Sequence, residues 1–268
     1  MSRCCFIHAN GFPPDAYKSL LSLLSSRYEL KSTLLRPLWD ERSDIDSIKN
    51  WDIFLNDFLS ECDKTKIEQS VGIGHSIGGN IIIRAAIKNP NLFKSIILLD
   101  PTIFHPSIIA IARILNSLNL LKYTHPYALA ARKRRESYDS YKEILESYKK
   151  KKVFSKIADQ QLEEYINSIF KKKKNRYELV YNKKWEEIIY LKAALKDYHI
   201  WRNLKSIKIP TLIIKPKINP VLTDIASKKI ERNNFIKIKT LKESTHLFPL
   251  EFPKKTSQII FDFLSSNR

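Results

Sequence analysis

Apolar and polar positions alternate between strand-like and helix-like periods at both ends of the chain, and lose the strand-like period in the middle. Residues 4–8 read as a short apolar strand, 15–26 as an amphipathic helix, 28–35 as a strand and 48–61 as a helix. A strand at 70–74, a helix at 77–88 and a strand at 93–100 continue the series. After a long interruption, a strand at 210–214, a helix at 224–230, a strand at 235–241 and a final helix at 255–265 resume it. Strands that alternate with helices predict an α/β fold, a mostly parallel sheet with helices on both faces.

The middle stretch, 102–208, carries helical periodicity with many charges and aromatics, as in 140–151 and 160–171, and little strand signal. A core formed by 1–101 and 209–268 is therefore expected to carry a helical cap. An insertion after a strand's C-terminal end lands over the face where open α/β sheets bind ligands, so this one is expected to act as a lid. No internal repeat is visible.

Composition narrows the class. With 268 residues and 43% hydrophobic content, the chain can bury one substantial core. The N-terminal run is too short and too soon interrupted for a signal peptide, and 107–121, with Arg113, Asn116 and Asn119, is too short and polar to span a membrane. Cys4 and Cys5 adjoin in one strand and a single further cysteine remains, so no disulfide framework is expected and a cytoplasmic setting fits.

The net charge of +19 is mostly lysine, in a chain also rich in Ile and Asn and poor in Gly, a bias that an AT-rich genome produces. The lysine runs 149–152 and 171–174 read as solvated helix ends or loops. The cluster Arg132-Lys133-Arg134-Arg135 suits carboxylates or phosphates, but no nucleic-acid recognition motif accompanies it, so no nucleic-acid partner is expected. No metal-ligand spacing, Walker sequence or dinucleotide fingerprint occurs, and no metal or cofactor is expected.

The chemistry concentrates where the glycines do. All five lie at Gly11 or within 72–79. Gly74-His75-Ser76-Ile77-Gly78 matches G-x-S-x-G between a strand and a helix, the context in which a tight turn projects a serine Oγ into a cleft. The helix N-terminus beneath it offers free N–H groups and partial positive charge.

Over essentially its whole length the chain resembles the α/β-hydrolase superfamily, specifically capped serine hydrolases of esterase or lipase type. The resemblance rests on His8-Ala9-Asn10-Gly11-Phe12-Pro13-Pro14, Gly74 to Gly79, Leu99-Asp100-Pro101 and Thr245-His246-Leu247-Phe248-Pro249, in the family's order. The opening is similar to that of one bacterial subgroup. The family's usual first hairpin is missing, so about six strands are expected.

The resemblance implies Ser76 as nucleophile and His246 as general base. Relatives often carry the acid just after the strand at 210–214, where this chain has Lys215-Pro216-Lys217-Ile218-Asn219-Pro220. A second family solution places it at Asp100, with Asp224 as the other candidate. The oxyanion hole is expected from the N–H groups of Ile77 and Phe12. Asn10 either assists there or ties down its loop, and His75 and Trp39 are expected to line the cleft. The helix at 108–121 and Tyr123, Tyr127, Tyr165 and Trp185 either wall an acyl pocket or form ordinary cap core.

The implied reaction is hydrolysis of a small-molecule ester or thioester through an acyl-enzyme, with an acyl-carrier-linked substrate if the arginine cluster binds an acidic carrier. Carbon–carbon bond hydrolysis and other Ser-His-Asp chemistry remain open on the same fold. So does a non-catalytic binding protein, which Asn219 at the usual acid position would suit. Ser76 argues against the family's aspartate-nucleophile dehalogenases and epoxide hydrolases.

Overall fold

The computed structural model describes residues 1–39, 45, 48–193 and 195–267. Among them the strands run β1 (Ser2–Ile7), β2 (Tyr28–Thr33), β3 (Ser70–His75), β4 (Phe93–Leu99), β5 (Ser137–Tyr138), β6 (Phe170–Lys173), β7 (Arg176–Leu179), β8 (Thr211–Pro216) and β9 (Ile236–Leu241). The helices are α1 (Lys18–Ser25), α2 (Asp52–Lys64), α3 (Ile77–Lys88), α4 (Pro106–Ser117), α5 (Leu121–Thr124), α6 (Pro126–Arg132) and α7 (Tyr141–Lys149). They continue with α8 (Asp159–Ile169), α9 (Lys183–Leu191), α10 (Tyr198–Asn203), α11 (Asp224–Ile230), α12 (Phe248–Glu251) and α13 (Pro253–Ser265).

Six strands form one parallel sheet in the order β2-β1-β3-β4-β8-β9. Burial on both faces explains why its central strands are nearly continuous in apolar residues. In β4, Ile96 and Leu98 join a core with Phe54 and Phe58 of α2 and Ile81 to Ile83 of α3. Ile97 and Leu99 face the opposite core, with Leu20 and Leu24 of α1 and Ile260 and Leu264 of α13.

Strand order reverses direction between β1 and β3, which leaves a crevice at the carboxyl ends of those two strands. Register then fixes what surrounds it. Ile7 pairs with Gly74 and His75 with Leu99, so the first residues beyond β1, β3 and β4 (His8, Ser76 and Asp100) emerge along one edge.

The segment between β4 and β8 holds α4 to α10 and a three-stranded antiparallel sheet, β5-β7-β6, that the sequence pattern does not predict. Lys171 to Lys173, expected as a helix end or loop, lie in β6 with their side chains exposed. Phe170 is the one buried residue of that strand, so there is no two-sided apolar alternation to read. Tyr165 and Ile166 of α8 extend the core that contains Phe6, and the rings of Tyr165 and Phe12 stack at 4.6 Å.

Candidate active site

Ser76 occupies the turn between β3 and α3 with φ 56° and ψ −115°, a backbone conformation that costs an L-residue free energy. The surrounding contacts hold it there. A Cβ at Gly78 would overlap the carbonyl of Ile7, so only glycine lets α3 start this close to the end of β1. Ser76 remains partly exposed while His75 and Ile77 on either side are buried. As the first residue of α3, Ile77 has an N–H with no intrahelical acceptor.

Asp100 follows β4 and is fully buried with φ 37°. Its Oδ2 lies 2.6 Å from Nδ1 of His246 and accepts from the N–H of Val221 at 2.9 Å, and its Oδ1 accepts from the N–H of Leu222 at 3.1 Å. Two backbone donors thus aim the carboxylate at the ring. With Nδ1–H given to Asp100, Nε2 of His246 is the nitrogen left to accept a proton. The imidazole side chain is 28% exposed, which keeps it accessible.

The other acid candidates lie elsewhere. Asp224 starts α11 with a 77% exposed side chain and ion-pairs with Lys215. Asn219 is exposed on its loop at φ 48°.

The Ser76 hydroxyl rests 3.1 Å from Oγ1 of Thr102, whose N–H also donates to the Ser76 carbonyl at 3.0 Å. Among the described residues no hydrogen bond joins Ser76 to His246. The two residues are nonetheless linked through His75, whose Nε2–H donates to the His246 carbonyl at 2.9 Å and whose ring centroid is 4.7 Å from that of His246.

His75 was expected to line the cleft, and it does not. It is fully buried, with Nδ1 accepting from the Tyr17 hydroxyl at 2.7 Å. The same hydroxyl accepts from the N–H of Ala9 at 3.2 Å. Burial, reinforced by the neighbouring His246, pushes the His75 pKa well below the usual imidazole range. Tyr17 and neutral His75 thereby tie together the loop after β1, the turn at Ser76 and the loop bearing His246. His8 is also buried and neutral, donating from Nδ1 to Ala9 O at 2.8 Å and accepting at Nε2 from Leu35 N–H at 3.1 Å; burial pushes its pKa down to about 4.

Asn10 takes the second of its two expected roles, and Trp39 does not line the cleft. Phe12 N–H donates to Ala9 O at 3.1 Å, closing a turn in which Gly11 takes φ +74°, so this N–H is already engaged. Asn10 is buried and ties its loop to the insertion, donating to Glu186 O and accepting from the Tyr181 hydroxyl, each at 2.9 Å, with no face left for a substrate. Trp39 lines a surface hollow of about 530 Å³ with Ser32, Asp57 and Lys64, and none of Ser76, Asp100 or His246 lines that hollow.

The arginine cluster is largely neutralised from within. Arg132, Arg134 and Arg135 pair with Glu187, Glu186 and Glu143, and of the three only Arg134 is buried. The Arg134–Glu186 pair is buried against Gly11, and Arg134 also donates to the hydroxyls of Tyr165 at 2.6 Å and Tyr148 at 3.3 Å. Of the residues considered for an acyl pocket, Tyr165 and Trp185 are buried, whereas Ile108, Ile111, Ile114, Leu118, Tyr123 and Tyr127 are exposed.

Thr102 and Tyr17 escape sequence reasoning altogether. Neither belongs to a motif, and Tyr17 reads as one more apolar position of the first helix. Behind Thr102, Asn80 Nδ2 donates to the Thr102 carbonyl at 2.7 Å and to Asp197 Oδ1 at 2.9 Å. Burial pushes the Asp197 carboxyl up to about 6.

A parallel sheet with a strained serine turn at its switch point defines an α/β-hydrolase scaffold. The family model for the alpha/beta hydrolase fold matches residues 42–239, and the chain belongs to that family. The uncharacterized hydrolase YugF of Bacillus subtilis (strain 168) is 26% identical over 113 residues, which are 40% of this chain and 41% of that relative's length. Among solved structures, E-2-(acetamidomethylene)succinate hydrolase superposes with a TM-score of 0.77 at 15% identity, covering 98% of this chain and 91% of that one. The thioesterase domain from the curacin biosynthetic pathway gives 0.77 at 13% identity, with 97% and 91% covered. At these identities the two structures speak to the fold alone. No helix among the described residues is long and apolar enough to cross a membrane.

Proposed function

We propose that the protein is a serine hydrolase that cleaves a small-molecule carboxylic ester or thioester through an acyl-enzyme. The observation that carries this reading is the 2.6 Å contact between Asp100 Oδ2 and His246 Nδ1, one strand-end away from a serine in the strained turn. In this mechanism Ser76 rotates from Thr102 toward His246, gives its proton to Nε2, and attacks the substrate carbonyl. Hydrogen bonds of this kind are often absent or long before substrate binds. The Ile77 N–H holds the oxyanion, and Phe12 N–H joins it by sharing or giving up Ala9 O.

Collapse of the tetrahedral adduct breaks the bond to the alcohol or thiol, which leaves with the proton from His246. Water then loses a proton to the same nitrogen, attacks the acyl-enzyme and releases the acid. Asp100 keeps the imidazole oriented and balances its charge in both halves. Residues 102–208 act as a lid over the crevice, a reading supported by their insertion after β4 and by the Asn10 and Phe12 contacts with Tyr181, Glu186 and Tyr165. The free thiols of Cys4, Cys5 and Cys62 suit a reducing cytoplasm.

One observation favours a second reading. The Ser76 hydroxyl bonded to Thr102 instead of His246 would suit a non-catalytic binding protein on the same scaffold. Hydrolysis of p-nitrophenyl acetate and butyrate by the purified chain, lost in Ser76→Ala, supports the enzyme. Absence of turnover in the wild type on these and on acyl-thioester substrates supports the scaffold.

A further inference from the structure

An amphipathic helix on a globular protein normally turns its apolar stripe toward the core. α4 does the opposite. Of its twelve residues only Ile109 is buried, while Ile108, Ile111 and Ile114 lie in the open. Spacings of three residues put these side chains on one face, and Leu118 continues it. The chain beyond adds Leu120, Tyr123 and Tyr127, with exposures that reach 62% at Tyr123. Seven of the fifteen exposed large hydrophobic side chains of the described residues thus fall within 108–127. Scattered exposed apolar residues are ordinary, but a contiguous stripe of them marks an interaction surface.

Charge says what covers it. Residues 102–135 contain no Asp or Glu and six Lys or Arg. Arg132, Arg134 and Arg135 are paired internally, whereas Arg113, Lys122 and Lys133 are exposed and have no carboxylate partner among the described residues. Lys122 lies over the Tyr123 ring, 5.0 Å from its centroid, so a cation and an interfacial aromatic share one site. A second copy of this chain would bring another +19 charge against the same cations. An anionic surface of low polarity just beneath its charges satisfies both halves of the pattern.

We propose that α4 and the turn through Tyr127 form a docking face for an anionic lipid bilayer. The helix lies in the plane of the interface, with Ile111, Ile114 and Leu118 among the acyl chains and Arg113, Lys122 and Lys133 among the phosphates. The proposal concerns binding and does not depend on the reaction assigned to Ser76. It leaves the protein peripheral, attached by one short helix and a few cations.

The test is co-sedimentation of the full chain with vesicles of phosphatidylcholine alone and of phosphatidylcholine mixed with phosphatidylglycerol. The wild type is expected to sediment with the mixed vesicles, and far less with the neutral ones. Added salt is expected to release it. Ile111→Glu/Ile114→Glu, at two exposed positions, is expected to lower binding by at least about tenfold with an unchanged melting temperature. Should that variant melt early, Lys122→Glu/Lys133→Glu supplies the same test through charge. Equal binding to both vesicle types, no binding to either, or undiminished binding by folded variants of both kinds would overturn the proposal. So would a wild-type dimer in sedimentation velocity that ignores vesicles and is abolished by Ile111→Glu/Ile114→Glu, which would assign the face to a second copy.

Discussion

Asp100 and His246 stand 146 residues apart in the chain and 2.6 Å apart in the fold. The contact exists because β4 ends level with β3 and because Val221 and Leu222 turn their N–H groups onto the carboxylate. Asp100→Asn keeps the shape of the side chain and removes the charge that stabilises an imidazolium. Turnover of a p-nitrophenyl ester is expected to fall by about 10⁴-fold. Asp224→Asn, which removes the counter-charge of the buried Lys215 ammonium but makes no contact with His246, is expected to leave turnover near wild type, and steady-state rates of the two variants side by side check the contrast.

Tyr17→Phe deletes one oxygen that serves two buried partners, the Ala9 N–H and Nδ1 of His75. Leaving such groups unpaired costs about 1–3 kcal/mol. Thermal denaturation followed by circular dichroism is expected to show a melting temperature several degrees lower, and an unchanged value would mean that the hydrogen bonds of this hydroxyl do not stabilise the fold.

The Arg134–Glu186 pair is buried beside Gly11, with side chains 9% and 11% exposed. Glu186→Gln leaves the guanidinium without its counter-charge and is expected to cost about 3–5 kcal/mol. Replacing both residues with methionine is expected to recover most of that loss, because no uncompensated charge remains. Urea unfolding of the single and double variants measures the difference.

Stability should also report the buried titrating groups. His8, held down to about 4, and His75, held well below 6.5, stay neutral in the fold while the unfolded chain takes up their protons. Their contribution is therefore lost as pH falls below about 6.5. Asp197 acts in the opposite sense: its folded value of about 6 lies above the unfolded 3.8, so its destabilising effect fades as pH falls from about 6 to 4. Two histidines against one carboxylate predict a melting temperature that drops between pH 7 and pH 5. Asp197→Asn is expected to melt higher at pH 7 and to show the steeper drop, since the opposing group is gone.

Much of the fold is legible in the sequence. β3 and β4 are continuous apolar runs because both faces of the central sheet are buried, and α3 starts where Gly78 permits it to. The antiparallel sheet of the insertion was not readable, because Lys171 to Lys173 carry no apolar alternation at an exposed edge. At the site, the G-x-S-x-G turn points to Ser76 and chain order to His246, whereas the sequence leaves the acid open between Asp100 and Asp224; it is Asp100 whose carboxylate lies 2.6 Å from the His246 ring. Asn10 takes one of its two expected roles, while His75 and Trp39 turn away from the cleft: proximity in sequence to a site says nothing about which way a side chain turns. Asn10 turns to the insertion, His75 to Tyr17 and Trp39 to the surface near Asp57. Thr102 was invisible because its relation to Ser76 depends on the path of the chain just after Asp100.

The central claim is that Ser76 is a nucleophile made reactive by His246, and covalent labelling tests it most directly. Incubation with a fluorophosphonate probe, followed by peptide mass spectrometry, is expected to find the wild-type adduct on Ser76 and none in Ser76→Ala. A wild type that stays unlabelled, or an alanine variant labelled as fast as the wild type, would contradict the account.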